Sequence, residues 1–540
     1  MLPSKPQHFK TALVSVSSLY VAGWGIYYLA QETIRRRELA ARKRKYPLRA
    51  PLLPPHAISS GVRVAERVGV LAHTDSKRNA KPLSSSSANG AAEAKHAQEI
   101  LKQNGTNADS DASDSDSLNE PTARGPSWYG GATDSEITRI HHRFSSLKVL
   151  GRYANVVPEW REQGAWEWAF WKLLYSVFYK PRIWWDGGFK ADNKSDEGRQ
   201  KIEMLLPVER IKWAELFASA ADASKASTAE VAAAPAVRNA AQSSFTWIGQ
   251  STCLIQMNGV TILTDPVFGE QPVESLFSPT RMRPMPCSIK ELVANAAIDV
   301  VLLTHNHFDH LDISVLPLIP KRTQFVVPVG LTSLLTQYGV EAERIVELDW
   351  WQQSRLPLTI RVAPKAEQSG HGHVSERRRV LDVTAVPASH WSARTPLDTN
   401  TTLWNSYAVR VHSEGDNRPS APGSTPEAQS LFFCGDTGYS PSLFTAIGRA
   451  LGPFDFACLP IGSYEPRWHM QIQHMHVTES VQVTRDIGSK RAFAMHWGTW
   501  QMSDERWDDP YWQLHKELRA TSPDDPNRLL AVPFGRTFWL

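Results

Sequence analysis

The most constraining feature of this sequence is a short cluster of metal-binding side chains at the end of an apolar run. Residues 304–312 read THNHFDHLD and directly follow the run VVLL. In an extended segment the side chains alternate between faces, so His305 and His307 point the same way and can bind one metal ion. Asp309 and His310 follow where the chain turns, so we expect them to serve a second ion nearby. The remaining ligands must come from distant parts of the chain.

The C-terminal half repeats one arrangement, a short apolar run that ends in a polar loop. The segments DVVLLTHNH, VLDVTAVPASHW, SLFFCGDTGY and RAFAMHWG each predict a buried strand with a histidine or aspartate at its end. Helical patterns lie between them, and this alternation predicts a layered α/β architecture. A hairpin turn is predicted at Asn258-Gly259. The expected strand-end ligands are His390, Asp436 and His496, and the Asp436 carboxylate can bridge two ions.

The same residues resemble a known family. The H-x-H-x-D-H spacing at 305–310 resembles the motif of the metallo-β-lactamase superfamily. The segments WIGQSTCLIQMNGVTILTDPVF, SPTRMRPMPCSI, THNHFDHLD, PASHW, GDTGY, IGSYEPRW, QHMHVTES and MHWGTW, in this order, closely resemble the N-acylphosphatidylethanolamine-hydrolysing phospholipase D family. The similarity spans residues 137–540 and is strongest from Phe245 onward. It implies a four-layer αββα sandwich.

The resemblance also implies two Zn²⁺ ions and a role for each residue that matches the family's motifs. The implied ligands are His305, His307 and His390 for one ion, Asp309, His310 and His496 for the other, and Asp436 as the bridge. Asp309 is expected to be catalytic as well as a ligand. His390 and His496 stand beside tryptophan residues, so histidines buried in the core are the alternative for both.

Further positions are implied around the metals. His474 matches a histidine beside the reacting phosphate, although His476 stands where the family usually has an acidic residue, which leaves the choice between the two open. Asp265 matches an acid behind the metal ligands, and the alternative is a cap for the turn before Pro266. The expected substrate contacts are Phe308, Tyr464 and Arg467. In contrast, His371, His373 and His469 match no motif and are expected at the surface. For Arg467, pairing within the protein is an equal alternative.

The ligand types indicate the chemistry. Imidazole and carboxylate ligands without thiolates favour zinc. Two adjacent zinc ions can activate water and neutralise charge on phosphate oxygens. The implied reaction is hydrolysis of N-acylphosphatidylethanolamine to N-acylethanolamine and phosphatidic acid, with His474 positioning the phosphate or protonating the leaving oxygen. The alternatives are another hydrolase of this scaffold, a phosphorylated-sugar lactonase or a nuclease, and a membrane-tethered organising protein with a vestigial site.

The N-terminus carries an uncharged run, TALVSVSSLYVAGWGIYYLA, about as long as a helix needs to cross hydrocarbon. It predicts a transmembrane helix at 11–31 after a tail at 1–10, and a cleaved signal peptide is the alternative. The Lys and Arg excess at 35–45 favours a C-terminal part on the cytosolic or matrix-like side. Resemblance to fungal-type relatives favours the mitochondrial inner membrane, with the endoplasmic reticulum or another cytosol-facing membrane as the alternative.

The chain divides by composition. Residues 32–136 begin basic, and from about Lys77 to Arg124 they contain almost no large apolar residues, which predicts a juxtamembrane segment followed by a disordered linker. Residues 137–243 form an aromatic-rich part of the catalytic region, and 244–540 form the hydrolase domain with surface inserts near 366–379 and 413–429. The stretch WREQGAWEWAFWKLLYSVFYKPRIWW is either packed core or a surface that docks on a bilayer.

Overall composition narrows the class of partner. The formal net charge is +4, and the catalytic half has no basic stripe, so nucleic acid is not expected. The four cysteines are far apart and form no C-x-x-C pair, which favours free thiols. The expected partners are a membrane phospholipid as substrate and the bilayer itself, and a homodimer remains open.

Overall fold

The fold follows from a computed structural model, which describes residues 6–48, 131–163, 167, 170–176, 188–218, 237–238, 243–275, 278–362, 374–395, 397–414 and 428–540. These residues belong to one compact unit that comprises Met1–Arg49 and Pro126–Leu540. Most of the predicted linker at 32–136 lies outside the described residues, and so does most of the predicted insert at 413–429.

Within the described residues, helices and strands alternate along the catalytic region. The α-helices, numbered α1 to α11 in chain order, are Pro6–Lys45, Asp134–Arg143, Phe189–Asp192, Asp196–Leu205, Trp213–Leu216, Ile289–Asn295, Thr332–Gln337, Pro441–Leu451, Arg467–Met470, Val477–Asp486 and Asp509–Thr521. The strands, numbered β1 to β18, are Leu147–Val149, Arg152–Ala154, Phe217–Ala218, Val237–Arg238, Ser244–Gly249, Thr252–Met257, Val260–Thr264, Val300–Leu302, Gln324–Pro328, Ile345–Leu348, Gln353–Val362, Ser375–Val386, Ser406–Ser413, Gln429–Phe433, Phe456–Pro460, Arg491–Met495, Leu529–Leu530 and Thr537–Trp539. A π-helical turn at Trp171–Tyr175 and 3₁₀ turns at Ile313–Leu318 and Ala342–Arg344 complete the set.

Two large mixed sheets form the centre of the molecule. One sheet has the strand order β10-β9-β8-β7-β6-β5-β18, and the other has the order β17-β16-β15-β14-β13-β12-β11-β4-β3. Alternation along β6 sends Ile255 into the core shared with Val383 of the second sheet, while Leu254 packs with Leu292 of α6 and Leu335 of α7. On the second sheet, α8 adds its own apolar face to the core. The predicted layered α/β architecture is confirmed.

The predicted Asn-Gly turn is also confirmed. β6 ends at Met257 and β7 begins at Val260, and their register pairs these two residues. Asn258 and Gly259 have φ values of 48° and 84°, the left-handed conformation that a two-residue hairpin turn requires at both positions. The segment from Ser244 therefore forms three strands, β5 to β7.

Strand direction explains why distant residues can meet. β7, β8 and β9 run parallel, and so do β14, β15 and β16. β12 and β14 both run antiparallel to β13, so these two strands share one direction. The carboxyl ends of strands that share a direction meet at one edge of a sheet, which is where α/β folds place their sites. The loops after β7, β8, β12, β14 and β16 are therefore candidates for one common site.

The structure differs from two predictions about the organisation of the chain, the transmembrane helix at 11–31 and the surface insert at 366–379. α1 contains the predicted transmembrane segment at 11–31, yet none of the described helices combines the length and the hydropathy that crossing a bilayer requires. The predicted span is therefore not supported. The basic segment at 35–45 is the helical end of α1. The predicted insert at 366–379 is in part strand, because β12 begins at Ser375.

The close approach of α8 and α10 generates a stability prediction. A Cβ added to Gly448 of α8 would overlap the carbonyl oxygen of Asp486 and lie 2.8 Å from the Cα of Ile487. Gly448→Ala should therefore lower the free energy of unfolding by about 1–3 kcal/mol, although alanine normally favours a helix. Urea denaturation measures this. Gly25→Ala in α1, where the added Cβ meets nothing within 4 Å, is the control. Equal stability of Gly448→Ala and wild type would contradict the packing.

Candidate metal centre

The predicted metal ligands converge at the carboxyl ends of the strands. Their ligand atoms lie within 4.8 Å of one another in three overlapping groups, which are His305, His307 and His390; Asp309, His310, Asp436 and His496; and His390, Asp436 and His474. His307 is partly exposed and the other members are buried. Every residue predicted as a ligand is therefore present in this cluster, and the first two groups correspond to the two predicted half-sites.

The first group consists of imidazoles. Nε2 of His305 lies 2.8 Å from Nδ1 of His307, which lies 3.2 Å from Nε2 of His390. Burial and the neighbouring histidines lower the pKa of His305 and His307 well below the usual range, and burial lowers the pKa of His390 to about 4. Neutral imidazoles are the form that binds a metal ion.

The second group surrounds a buried carboxylate. Oδ2 of Asp436 lies 3.2 Å from Nε2 of His310, 3.0 Å from Nε2 of His496 and 3.9 Å from Nε2 of His390. Oδ2 of Asp309 lies 3.2 Å from the same nitrogen of His496. Asp436 thus contacts the second group and faces the first. This is the place that a bridging carboxylate must occupy.

The electrostatic field of the carboxylates favours positive charge here. Burial opposes ionisation of Asp436, yet His496 and His310 hold its pKa well below the usual range. Burial also opposes a charge on His496, but Asp436 and Asp309 together raise the pKa of His496 to about 9. Two carboxylates buried this deeply need a cation nearby, because isolated buried charges are very costly.

Asp265 fixes the orientation of His310 from behind. Its Oδ2 lies 2.8 Å from Nδ1 of His310, and since a carboxylate only accepts, this nitrogen carries the proton and Nε2 is left to face the cluster. The backbone N–H and hydroxyl of Thr304 also donate to Asp265, each at 2.7 Å. The carboxylate is completely buried. Asp265 therefore lies behind the ligands, as the resemblance implied, and is more than a cap for the following turn.

Backbone conformation carries strain at the site. Asp265 and His496 have φ values of 33° and 60°, and Gln250 has 51°. Residues other than glycine adopt this region at a cost that the surrounding structure must offset. All three lie in direct contact with the cluster or in it.

Sequence patterns missed several residues that support the ligands. Gln250 donates from Nε2 to Oδ2 of Asp309 at 2.8 Å, and its carbonyl accepts from the N–H of His496. The Gln473 carbonyl lies 3.0 Å from Nδ1 of His390. Asn155 hydrogen-bonds the backbone of His390. No spacing rule marks such residues, since each acts through a contact far away in sequence.

The residues fit a bound metal. Asp436 Oδ1 and His307 Nε2 are buried with no hydrogen-bond partner among the described residues. Native proteins rarely leave such atoms unpaired. The donor set of imidazoles and carboxylates suits a divalent cation such as zinc, and the four cysteines are free and buried outside it. The free thiols also agree with the sequence prediction.

His474 and His476 occupy different environments. Nδ1 of His474 lies 3.8 Å from Oδ2 of Asp436, and burial lowers the pKa of this histidine to about 3. His476 instead caps α10, where its Nδ1 accepts from the N–H of Thr478 and its own N–H donates to Glu479. Of the two histidines, His474 is the one beside the predicted metal ligands.

The three predicted substrate contacts differ. Tyr464 is buried and its hydroxyl donates to Asp509, while Nη2 of Arg467 donates to both carboxylate oxygens of Glu479. Both side chains have their hydrogen-bond partners within the protein. This supports internal pairing for Arg467, and a substrate contact for either residue is not supported. Phe308 is partly buried beneath the Arg394 guanidinium, 4.1 Å from its ring centroid, and its substrate role stays a prediction.

One surface prediction is wrong, and another cannot be judged. His469, which its sequence surroundings indicate to be a surface residue, is buried against Trp171 with ring centroids 4.9 Å apart. In the aromatic stretch that begins at Trp160, Trp160 and Trp171 are buried while Phe170 and Leu174 are exposed, so the described residues do not decide between packed core and a surface that docks on a bilayer. The rest of that stretch lies largely outside the described residues.

Known proteins share this site's sequence framework. The family described as beta-lactamase superfamily domain matches residues 260–497. A Saccharomyces cerevisiae protein named mitochondrial N-acyl-phosphatidylethanolamine-hydrolyzing phospholipase D is 29% identical over 409 residues, covering 73% of this chain and 77% of the relative. A Caenorhabditis elegans protein named N-acyl-phosphatidylethanolamine-hydrolyzing phospholipase D 1 is 31% identical over 298 residues, covering 54% and 74%. An uncharacterized Mycobacterium tuberculosis protein is 34% identical over 304 residues, covering 55% and 69%.

The position of Asp265 generates a prediction about metal affinity. Asp265→Ala leaves the donors of His310 and Thr304 unpaired, each at a cost of about 1–3 kcal/mol, so the free energy of unfolding should fall. Zinc affinity should fall about 10–100-fold, because the His310 ring loses its orientation. Asp455→Ala is the matched control, since Asp455 likewise accepts from the N–H and hydroxyl of a single residue, Ser430. Wild-type zinc affinity in Asp265→Ala, measured by chelator competition, would contradict this role.

Proposed function

Because this chain belongs to the N-acylphosphatidylethanolamine-hydrolysing phospholipase D family and is a metal-dependent hydrolase, we propose that it cleaves N-acylphosphatidylethanolamine to N-acylethanolamine and phosphatidic acid. The observation that carries this proposal is the convergence of the other six predicted ligands around Asp436, with His474 beside them. A phosphodiester is the substrate class that two adjacent cations suit best, since both can face its oxygens.

The proposed cofactors are two Zn²⁺ ions. His305, His307 and His390 would hold one ion, and Asp309, His310 and His496 the other, with Asp436 shared. When bound, the pair supplies Lewis acidity to a phosphate oxygen and makes water nucleophilic near neutral pH. The absence of thiolates from the cluster and the neutral state of its first three histidines support zinc.

The protein residues around the phosphate have distinct tasks in this proposal. Burial keeps His474 neutral near pH 7, with its pKa at about 3, so it would hydrogen-bond the phosphate or the departing oxygen and would not act as a charged acid. Gln250 and Asp265 would hold Asp309 and His310 in place. Of the two roles predicted for His474, positioning is the one that its neutral state supports.

The substrate implies a membrane setting. N-acylphosphatidylethanolamine resides in bilayers, so we propose that the chain works at a membrane surface. The name of the yeast relative supports a mitochondrial location. The proposal includes attachment through the N-terminal region, for which the uncharged run at 11–31 and the basic end of α1 are the support.

Substrate selection tests the proposal directly. The purified full-length chain, loaded with zinc, is incubated separately with N-acylphosphatidylethanolamine, phosphatidylcholine, a lactone and RNA, and the products are identified by mass spectrometry. We expect N-acylethanolamine and phosphatidic acid from the first substrate. Turnover of the lactone or RNA without turnover of the phospholipids would refute the proposed substrate.

Removal of one ligand tests the metal requirement. His305→Ala should reduce turnover to background and lower the zinc content, because the first group loses a buried imidazole. Membrane association in a flotation assay should stay unchanged. His515→Ala, on α11, is the control and should retain full activity. A metal-free preparation that hydrolyses the lipid at the normal rate would rule the mechanism out.

The two histidines of QHMH can be separated by kinetics. His474→Gln should lower kcat about 10²-fold with normal zinc content, since it would remove a hydrogen bond made to the reacting phosphate. His476→Ala should cost about 1 kcal/mol of stability through the lost helix cap and leave kcat nearly normal. The reverse pattern of kcat values would show that the wrong histidine has been assigned.

A further inference from the structure

The C-terminal half of α1 is joined to the catalytic region by a buried arginine. Arg35 is 1% exposed, and its guanidinium donates to the carbonyls of Asn155, Val157 and Trp160 at 3.3, 3.1 and 2.6 Å. It also pairs with Glu32 of the same helix at 2.8 Å. The planar guanidinium, with its fixed fork of donors, can hold several carbonyls of one loop at once.

The loop that Arg35 holds presents Asn155 to a predicted metal ligand. The Asn155 side chain is completely buried, donates from Nδ2 to the His390 carbonyl at 2.7 Å and accepts from the His390 N–H at 3.1 Å. This reciprocal pair fixes the backbone of His390. The Gln473 carbonyl, 3.0 Å from Nδ1, fixes the ring.

Two connected steps therefore link α1 to the metal centre. Arg35 holds the carbonyl of Asn155, and the Asn155 side chain holds the backbone of His390, whose Nε2 lies 3.2 Å from His307 and 3.9 Å from Asp436. A shift of the His390 backbone by a fraction of an ångström would also move its Nε2 atom, which faces both half-sites. Metal affinity depends on such outer contacts because they set the direction of each ligand.

Further contacts keep this part of α1 in register with the loop. Arg42 donates to the carbonyls of Ser145 and Ser146 at 2.5 and 3.3 Å, and Arg143 donates back to the carbonyl of Leu39 at 3.1 Å. The helix end is thus fixed on both sides of the β1 and β2 hairpin. These contacts resist sliding of α1, which would withdraw Arg35 from its three carbonyls.

We infer that Arg35 and Asn155 are positioning residues of the metal centre, and that the end of α1 is a working part of the catalytic unit. The sequence predicts a juxtamembrane segment at the position of Arg35, outside the catalytic region. The inference rests on the metal centre of the proposed function and is independent of the lipid substrate.

Neighbouring arginines provide a matched test. Arg36 also pairs with Glu32, but its side chain is 70% exposed, whereas Arg35 is buried. The full-length chain and its Arg35→Met and Arg36→Met variants are stripped of metal, and Zn²⁺ is titrated against a chromophoric chelator. Arg35→Met should bind zinc about 10-fold more weakly, because His390 loses its fixed direction. Arg36→Met should bind it like wild type.

Substitutions at Asn155 should lower zinc affinity in steps, and they provide the test if Arg35→Met does not fold. Asn155→Asp keeps the acceptor for the His390 N–H and loses the donor to its carbonyl, while Asn155→Ala loses both. Zinc affinity should fall in the order wild type, Asn155→Asp, Asn155→Ala. Arg35→Lys, which cannot span three carbonyls, should fall between wild type and Arg35→Met.

Thermal melting of the metal-free variants distinguishes a loss of ligand orientation from a general loss of fold stability. All titrations are made at a temperature at which each variant is fully folded. Lower melting temperatures with wild-type zinc affinity in both Arg35→Met and Asn155→Ala would overturn the inference. If the wild-type chain itself binds no zinc, the proposed function fails, and that result is distinct from equal affinities among the variants.

Discussion

The arrangement of the site depends on the contacts between the buried Asp436 carboxylate and the imidazoles around it. Its Oδ2 lies within 4 Å of the Nε2 atoms of His310, His390 and His496, and its Oδ1 has no partner among the described residues. A carboxylate in this position is costly unless positive charge compensates it. The surrounding imidazoles cannot all be protonated, because burial keeps the first group neutral. The two divalent cations that we propose, one on each side of Asp436, would satisfy both requirements.

The fold supplies what this arrangement needs. Strands that share a direction deliver Asp265, the 305–310 cluster, His390, Asp436 and His496 to one edge of the two sheets. The left-handed backbone at Asp265 and His496 aims these two residues at the cluster, and the packed sheets offset the strain. Around the predicted ligands, the Gln473 carbonyl, the Gln250 and Asn155 amides and the Asp265 carboxylate hold the ligand side chains in their orientations. By our inference Arg35 extends this outer set to the N-terminal helix, so the proposed metal-binding unit is larger than the strands alone.

Sequence patterns predicted those residues of the site that stand in a regular spacing or directly after an apolar run. The H-x-H-x-D-H spacing and the apolar runs before His390, Asp436 and His496 carry the signal of a strand followed by a ligand, and the structure brings those residues together. Asn155, Gln473 and Gln250 were missed because each is a single polar residue whose partner is fixed only by the tertiary fold. The sequence does not predict the burial of His469, because that burial depends on packing against Trp171, nearly 300 positions away. Glu479, the partner of Arg467, also accepts from the N–H of His476 at the start of α10, and histidine is not among the residues that usually signal such a helix cap.

The central claim is that two metal ions share Asp436. Anomalous diffraction at the zinc edge from crystals of the zinc-loaded chain measures this directly. We expect two peaks, one beside His305, His307 and His390 and one beside Asp309, His310 and His496, each about 2 Å from an oxygen of Asp436. A single peak, or two peaks of which one does not contact Asp436, would contradict the account.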